Sequence, residues 1–227
     1  MIVGSIKEDL SLEKRVSITP ETAKNIINLG LKIHLEKEYA IHLGIKDKEY
    51  ENAGVEIKNS SQEILSTCDL LTKVNHPSDE EIENLKEKTI LIGIFNPSKN
   101  QKKLNQVIKK NINIFSLDLL PRITRAQSMD VLSSQSNLAG YRSVIDSIYE
   151  FEKAIPMMMT AAGTVPAAKV LVIGAGVAGL QAIATAKRLG AIVSATDVRA
   201  ASKEQVESLG GKFLTVEQSE NLETTGG

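Results

Sequence analysis

The sequence predicts an α/β fold: two Rossmann-like domains with parallel sheets, joined by a long helix, the second domain incomplete. Three observations carry this. Short apolar runs alternate with polar, helix-patterned stretches through the first 120 residues, as parallel strands joined by helical crossovers require. From about Asn137 to Lys153, Leu138, Tyr141, Val144, Ile145, Ile148 and Phe151 recur at helical spacing. A second strand–turn–helix–strand succession then begins at Ala168.

In order, the predicted strands of the first domain are Ile2–Ile6, Lys32–Glu36, Asp69–Val74, Thr89–Phe95 and Asn113–Leu117. The helices between them have readable starts. Thr19-Pro20 sets a capping hydroxyl before a proline at the first helical position, where its missing N–H costs nothing. Ser60…Glu63, Ser78…Glu81 and Ser98…Gln101 each fit the capping box, in which two side chains satisfy each other's orphan N–H groups. Gly30 is placed to end the first helix. Residues 122–136 read as a polar loop and 161–166 as another. The second unit has Lys169–Ile173 as a buried strand, a glycine turn over Gly174–Gly179, a helix stopped by Gly190 and a strand over Ala191–Thr196. A helical stretch over Ala200–Leu209 follows, then a third strand from Lys212 and a polar tail to Gly227. The domains are therefore 1–136, a linking helix and loop over 137–165, and a partial nucleotide-binding unit over 166–227.

Composition narrows the function. Hydrophobic residues make up 42% and charged residues 24% of 227, enough for packed cores. A net charge of −1, with both signs interspersed, argues against nucleic-acid binding. The lone Cys68 cannot form an internal disulfide and, set in an apolar stretch, reads as a packing residue. The N-terminus lacks a signal-peptide pattern, and nowhere do 18 uncharged apolar residues run together, so a membrane role would come through a partner. His34 and His42 show no metal-like spacing, and His76, before a proline, reads as a surface-turn residue.

Gly174-Ala175-Gly176-Val177-Ala178-Gly179 fits the G-x-G-x-x-G fingerprint. Alone the motif is weak; here it lies between a strand and a helix, with Asp197 closing the next strand. Gly174 permits the tight turn, Gly176 leaves room for a diphosphate, and Gly179 lets helix and strand pack closely. The helix N-terminus offers N–H groups and a positive dipole end to the phosphates. Asp197 suits ribose hydroxyls and repels a 2′-phosphate, which favours NAD over NADP. Arg199 opposes that preference if it meets a 2′-phosphate; its alternatives are a solvated charge or an adenine-edge contact. A second group comprises Arg122, Gln127 and Asp130, with Ser133 nearby. It is either a solvated loop or a carboxamide grip, since it gathers a forked cation, an amide and a carboxylate in one short segment.

These residues carry a resemblance. Residues 121–142 (PRITRAQSMDVLSSQSNLAGYR) resemble the nicotinamide-contacting loop and linker helix of proton-translocating transhydrogenase alpha subunits, within the alanine dehydrogenase/transhydrogenase family. The likeness continues through residues 160–191 and Thr196–Arg199, and upstream through EKRVSITP and LLTKVNHP, so it covers essentially the whole chain. It implies an NAD(H)-binding component that passes hydride to NADP held by a partner subunit, with transfer coupled to proton movement through a membrane domain. By resemblance Arg122 and Asp130 orient the nicotinamide carboxamide, Ser133 assists, and Gln127 sits near the nicotinamide ribose and the partner's nucleotide. Val177, Asp197, Val198 and Arg199 line the rest of the NAD site. The resemblance also implies a homodimer, cytoplasmic and held at the inner membrane by membrane-spanning and NADP-binding partner subunits, with no metal. The family continues past residue 227, so weak or no NAD binding, and no activity, are expected of the chain alone.

Two rivals remain. Alanine dehydrogenase shares the layout, but needs a substrate-binding lysine and a catalytic histidine where this chain has Asn75 and Asn96; an amide cannot replace imidazole as a proton acceptor. The other is a non-catalytic NAD-binding fragment.

Overall fold

The computed structural model describes residues 1–215; the polar tail expected to reach Gly227 lies mostly outside the described residues. By its contacts the chain divides into a unit of Met1–Pro121 and a second unit beginning at Arg122.

In the first unit the strands are β1 (Ile2–Ser5), β2 (Lys32–Glu36), β3 (Glu56–Lys58), β4 (Leu70–Thr72), β5 (Ile90–Gly93) and β6 (Asn113–Ser116). They form one sheet in the order β3-β2-β1-β4-β5-β6, every pairing parallel. That is the doubly wound order, with its switch point between β1 and β4. Helices α1 (Pro20–Asn28), α2 (Asp47–Asn52), α3 (Ser61–Thr67), α4 (Asp79–Asn84) and α5 (Gln101–Lys109) alternate with the strands. Register separates two cores. Val3, Ile33 and Leu70 align on one face, with Ile18, Tyr39 and Tyr50 packed near them. Gly4, His34, Leu71 and Leu91 align on the other, where Ile64, Cys68 and Phe95 are buried. A parallel sheet needs both faces covered, and these apolar strands have both.

The predicted caps hold at three helices. Thr19 Oγ1 accepts from Thr22 N–H at 3.2 Å, and Thr22 Oγ1 accepts from Thr19 N–H at 2.8 Å. Ser78 and Glu81 close the same kind of box, and Ser60 Oγ accepts from Glu63 N–H at 3.4 Å. Ser98 is not a cap. Asn96 is in the left-handed region (φ 44°), a tight turn follows, and Asn100 takes the cap position of α5 while its Nδ2 donates to Phe95 O at 2.8 Å. β3 is additional to the predicted strands, too short to stand out among its polar flanks.

The second unit contains α6 (Val131–Glu150), a hairpin of β7 (Met158–Thr160) and β8 (Gly163–Val165), and then β9 (Lys169–Ile173), α7 (Val177–Arg188), β10 (Ile192–Thr196), α8 (Ser202–Ser208) and β11 (Lys212–Phe213). The hairpin replaces the predicted loop over 161–166. The order β11-β10-β9, all parallel, repeats one half of the winding of the first sheet. Val170, Val172, Val193 and Ala195 share a face packed with Ala182, Ile183, Val144 and Ile148. The opposite face departs from expectation: β9 is covered on one side only, with Leu171 57% and Ile173 80% exposed among the described residues. Both sides of β9 are apolar, as a strand needs only when both faces are covered.

Candidate functional site

The glycine turn occupies three residues. Gly174 ends β9 at φ 93°, a conformation that only glycine takes without strain, and its N–H donates to Thr196 O at 2.8 Å. Gly176 is the N-cap of α7 and supplies no side chain to it; the first intrahelical bond is Leu180 N–H to Gly176 O at 2.8 Å. The N–H groups of Val177, Ala178 and Gly179 therefore precede the helical ladder and sit at the positive end of the dipole. A Cβ on Gly176 would meet nothing nearer than Arg199 Nη2 at 4.0 Å, so space lies above the turn. A Cβ on Gly179 would lie 1.8 Å from Gly174 O. The first glycine leaves room and the second removes it, as a diphosphate held on a helix N-terminus requires.

Asp197 follows β10 and is nearly buried, its side chain 7% exposed. Its Oδ2 accepts from Ala175 N–H at 2.6 Å, tying the acid to the glycine turn. Its Oδ1 accepts from Arg199 N–H at 2.8 Å and from Arg199 Nε at 3.1 Å. Burial works to raise the carboxyl's pKa, but the Arg199 side chain and the two backbone donors outweigh it and bring it to about 2. Arg199 is thus not a free surface charge: it is paired with the acid and held beside Gly176. The carboxylate keeps acceptor capacity, since its two oxygens offer roughly four lone-pair sites. Val177 and Val198, beside it, are exposed.

The second predicted group is built at the start of α6. Asp130 is the N-cap: its Oδ1 accepts from Ser133 N–H at 2.9 Å and its Oδ2 from Ser133 Oγ at 2.6 Å. The Ser133 hydroxyl and backbone bonds hold the Asp130 carboxyl below its ordinary value, with the charge of Arg122 adding to them. The predicted helix start near Asn137 therefore moves to Val131, because Asp130 caps and the serines after it, though polar, accommodate the helix. Gln127 lies on an exposed 3-10 turn over Thr124–Met129.

One cleft of about 950 Å³ joins the two groups, within the range of small-molecule sites. One wall carries Arg122, Ser133, Ser136, Gly140 and Ser143; the other carries Gly174, Gly176, Val177, Gly179, Asp197, Val198 and Arg199. Gln127 and Asp130 are outside the lining: the first is exposed beyond it, and the second reaches it only through Ser133. Sequence reasoning missed Ser136, Gly140 and Ser143. Ser136 fell in the stretch that read as a loop, and Gly140 and Ser143, within the predicted helix, carried no mark of the cleft they line. A smaller hollow of about 410 Å³ runs along β9 and is lined mainly by Val144, Ile148, Phe151, Ile155 and Val170; it suits apolar packing rather than a phosphate. Among the described residues no group of three or more His, Cys, Asp or Glu side chains is placed to hold a metal ion. Nor is any helix among them long and apolar enough to cross a membrane.

In the first unit His76 is half-buried rather than a surface-turn residue. Its ring meets Phe95 edge-on at 5.6 Å, its Nδ1 is 2.8 Å from Pro77 O, and burial pushes its pKa down. The apolar wall of Phe95 holds it there. Cys68 is buried, and burial pushes its thiol up to about 11.

Known proteins resemble this chain in sequence and fold. A protein of Rhodospirillum rubrum named as a portion of NAD(P) transhydrogenase subunit alpha is 51% identical over the whole of this chain and 61% of its own length. A transhydrogenase structure from Sinorhizobium meliloti superposes with a TM-score of 0.91 at 50% identity, over 95% of this chain and 64% of that one. An alanine dehydrogenase of Methanococcus maripaludis is 28% identical over 98% of this chain and 60% of its own length. The chain thus spans about three fifths of the length of these relatives. Residues 4–139 match the family model for the alanine dehydrogenase/PNT N-terminal domain and residues 143–225 that for its C-terminal domain, and the chain belongs to that family.

Proposed function

We propose that this chain is the NAD(H)-binding component of a proton-translocating transhydrogenase. In this reading it transfers hydride between NADH and NADP+ held by a partner subunit, and membrane-spanning subunits couple the transfer to proton movement. The observation that carries the reading is the single cleft in which Arg122 and Ser133 face the glycine turn and Asp197. The diphosphate would rest on the N–H groups of Val177–Gly179, and the adenosine ribose on Asp197. Arg122, with Asp130 acting through Ser133, would orient the nicotinamide carboxamide. Gln127, exposed beyond the cleft, would meet the ribose and the partner's nucleotide.

Bound nicotinamide would supply the hydride chemistry, and the protein's residues would supply position. Direct transfer takes no proton from a substrate hydroxyl or amine, so proximity and orientation would account for most of the rate. The Asp197 carboxylate would disfavour a 2′-phosphate, and Arg199, paired with that acid, would not be committed to one. A homodimer, located in the cytoplasm and peripheral to the inner membrane through its partners, completes the proposal.

Alanine dehydrogenase is the second reading, favoured by the shared family. Against it, the resemblance sets Asn75 and Asn96 where that enzyme has its lysine and histidine, and an amide accepts no proton at neutral pH. Mixing a full-length version, extended to the length of the relatives, with the NADP-binding subunit of a relative and following hydride transfer from NADH to an NADP analogue separates the readings. Transfer is expected. Alanine-dependent NAD reduction without transfer would install the dehydrogenase, and NADH binding with neither reaction would leave a binding module.

A further inference from the structure

We infer that Gly140 is a positioning residue, whose missing side chain sets the span between the two ends of the cofactor cleft; this rests on the nucleotide-binding reading above. Ser133, Ser136, Gly140 and Ser143 recur on one face of α6 and line the cleft. Gly140 is where that face touches α7. A Cβ built on it would lie 2.1 Å from Ala178 O and 2.8 Å from the carbonyl carbon. Non-bonded carbon and oxygen settle at about 3.3 Å or more, so even alanine would force a separation of about 1 Å. Glycine inside a helix costs roughly 1 kcal/mol relative to alanine, and here the cost is offset by an approach no other residue permits.

The contact falls at a sensitive place. Ala178 is the second residue of α7, inside the turn whose N–H groups would face the diphosphate. Ser133 lies two helical turns from Gly140 along α6, about 10 Å by helix rise. The start of α7 is packed closely on the end of β9, where Gly179 meets Gly174, so α6 is the element that yields, and its tilt about Gly140 changes the distance from the ring-holding end to the phosphate-holding turn. Only a ligand that engages both ends reads that distance.

The test compares two ligands on the wild-type chain and on Gly140→Ala. NADH spans the cleft; ADP needs only the turn and Asp197. Both are titrated at millimolar concentration by saturation-transfer NMR, in sucrose, which favours the compact state. The expected result is a fall of about 10-fold or more in NADH affinity, with ADP changed by less than about 2-fold, because a 1 Å misplacement acts on the spanning ligand alone. Equal loss of both ligands would mark a merely structural glycine and overturn the inference, as would no change in either. Weak, millimolar binding is what the wild-type chain is expected to show; binding of neither ligand at that concentration would reject the nucleotide cleft itself, and the inference with it.

Discussion

The two units contain the same step, a strand feeding a helix that returns to a parallel neighbour, and finish it in opposite ways. After β1 the chain runs from Ile6 to Thr19 and seals α1 with its own hydroxyls, Thr19 and Thr22. At the strand ends beside it, where doubly wound sheets bind ligands, Lys73 is buried against Glu81 at 2.9 Å and Glu8 at 3.8 Å. Glu8 also accepts from Val74 N–H at 2.7 Å. That end of the first sheet is filled by its own charges. After β9 the chain takes three residues, and α7 begins on Gly176 with no side-chain cap and open space before it. The lesson is that a helix N-terminus must be satisfied by something: where the sequence supplies a capping box the protein does it, and where it supplies glycine an outside anion can.

The largest change that breaks this contrast is Gly179→Ala. Its Cβ, 1.8 Å from Gly174 O, forces the turn open. We expect destabilisation of about 1–3 kcal/mol in thermal melts and loss of NADH binding by titration. The matching change in the first unit, Thr19→Ala, should cost about 1 kcal/mol and leave NADH binding as it was. Next is Gly176→Asp, which gives α7 the cap it lacks. Its φ of −75° suits any residue. Stability should hold or rise by a few tenths of a kcal/mol, while NADH affinity falls about 10-fold or more as a carboxylate occupies the dipole end. A melt that drops with affinity intact would show that the turn is not an anion site.

A smaller effect concerns pH. The Asp197 carboxyl, lowered in the fold to about 2, stabilises the second unit above its ordinary value of 3.8. That contribution is lost as pH falls through the window from about 4 to 2. Removing the largest lowering contact with Arg199→Ala should raise the Asp197 pKa, followed by carboxyl NMR, and so shrink the acid loss by lifting the lower end of that window. The least change in binding is expected of Gln127→Asn. It should slow hydride transfer to the NADP analogue more than it weakens NADH binding, and equal loss of both would remove Gln127 from the proposed role.

Most of the architecture was legible because it rests on local rules. Apolar runs gave five strands of the first sheet, Thr19 and Ser78 marked helix starts by side chains that bond within one turn, and the glycine spacing located the turn after Ile173. What was hidden depended on partners distant in sequence. Residues 122–136 looked like a loop because serines have weak helix propensity, yet Asp130 caps them into α6. Ser98 matched a capping pattern but lost the position to Asn100, whose bond to Phe95 closes a tighter turn. His76 read as exposed because its cover, Phe95, is supplied by another strand's end. In the site, Arg199 was visible as a residue but not as a partner of Asp197, and Gly140 gave no signal until α7 was set against it.

Hydrogen–deuterium exchange with and without millimolar NADH tests the central claim most directly. Ligand should protect amides in two separate segments at once, around residues 130–140 and 174–180, and leave the first unit unchanged. Protection confined to one of those segments, or appearing instead along β1 and β4, would contradict a cleft shared by the glycine turn and the Arg122–Ser133 group.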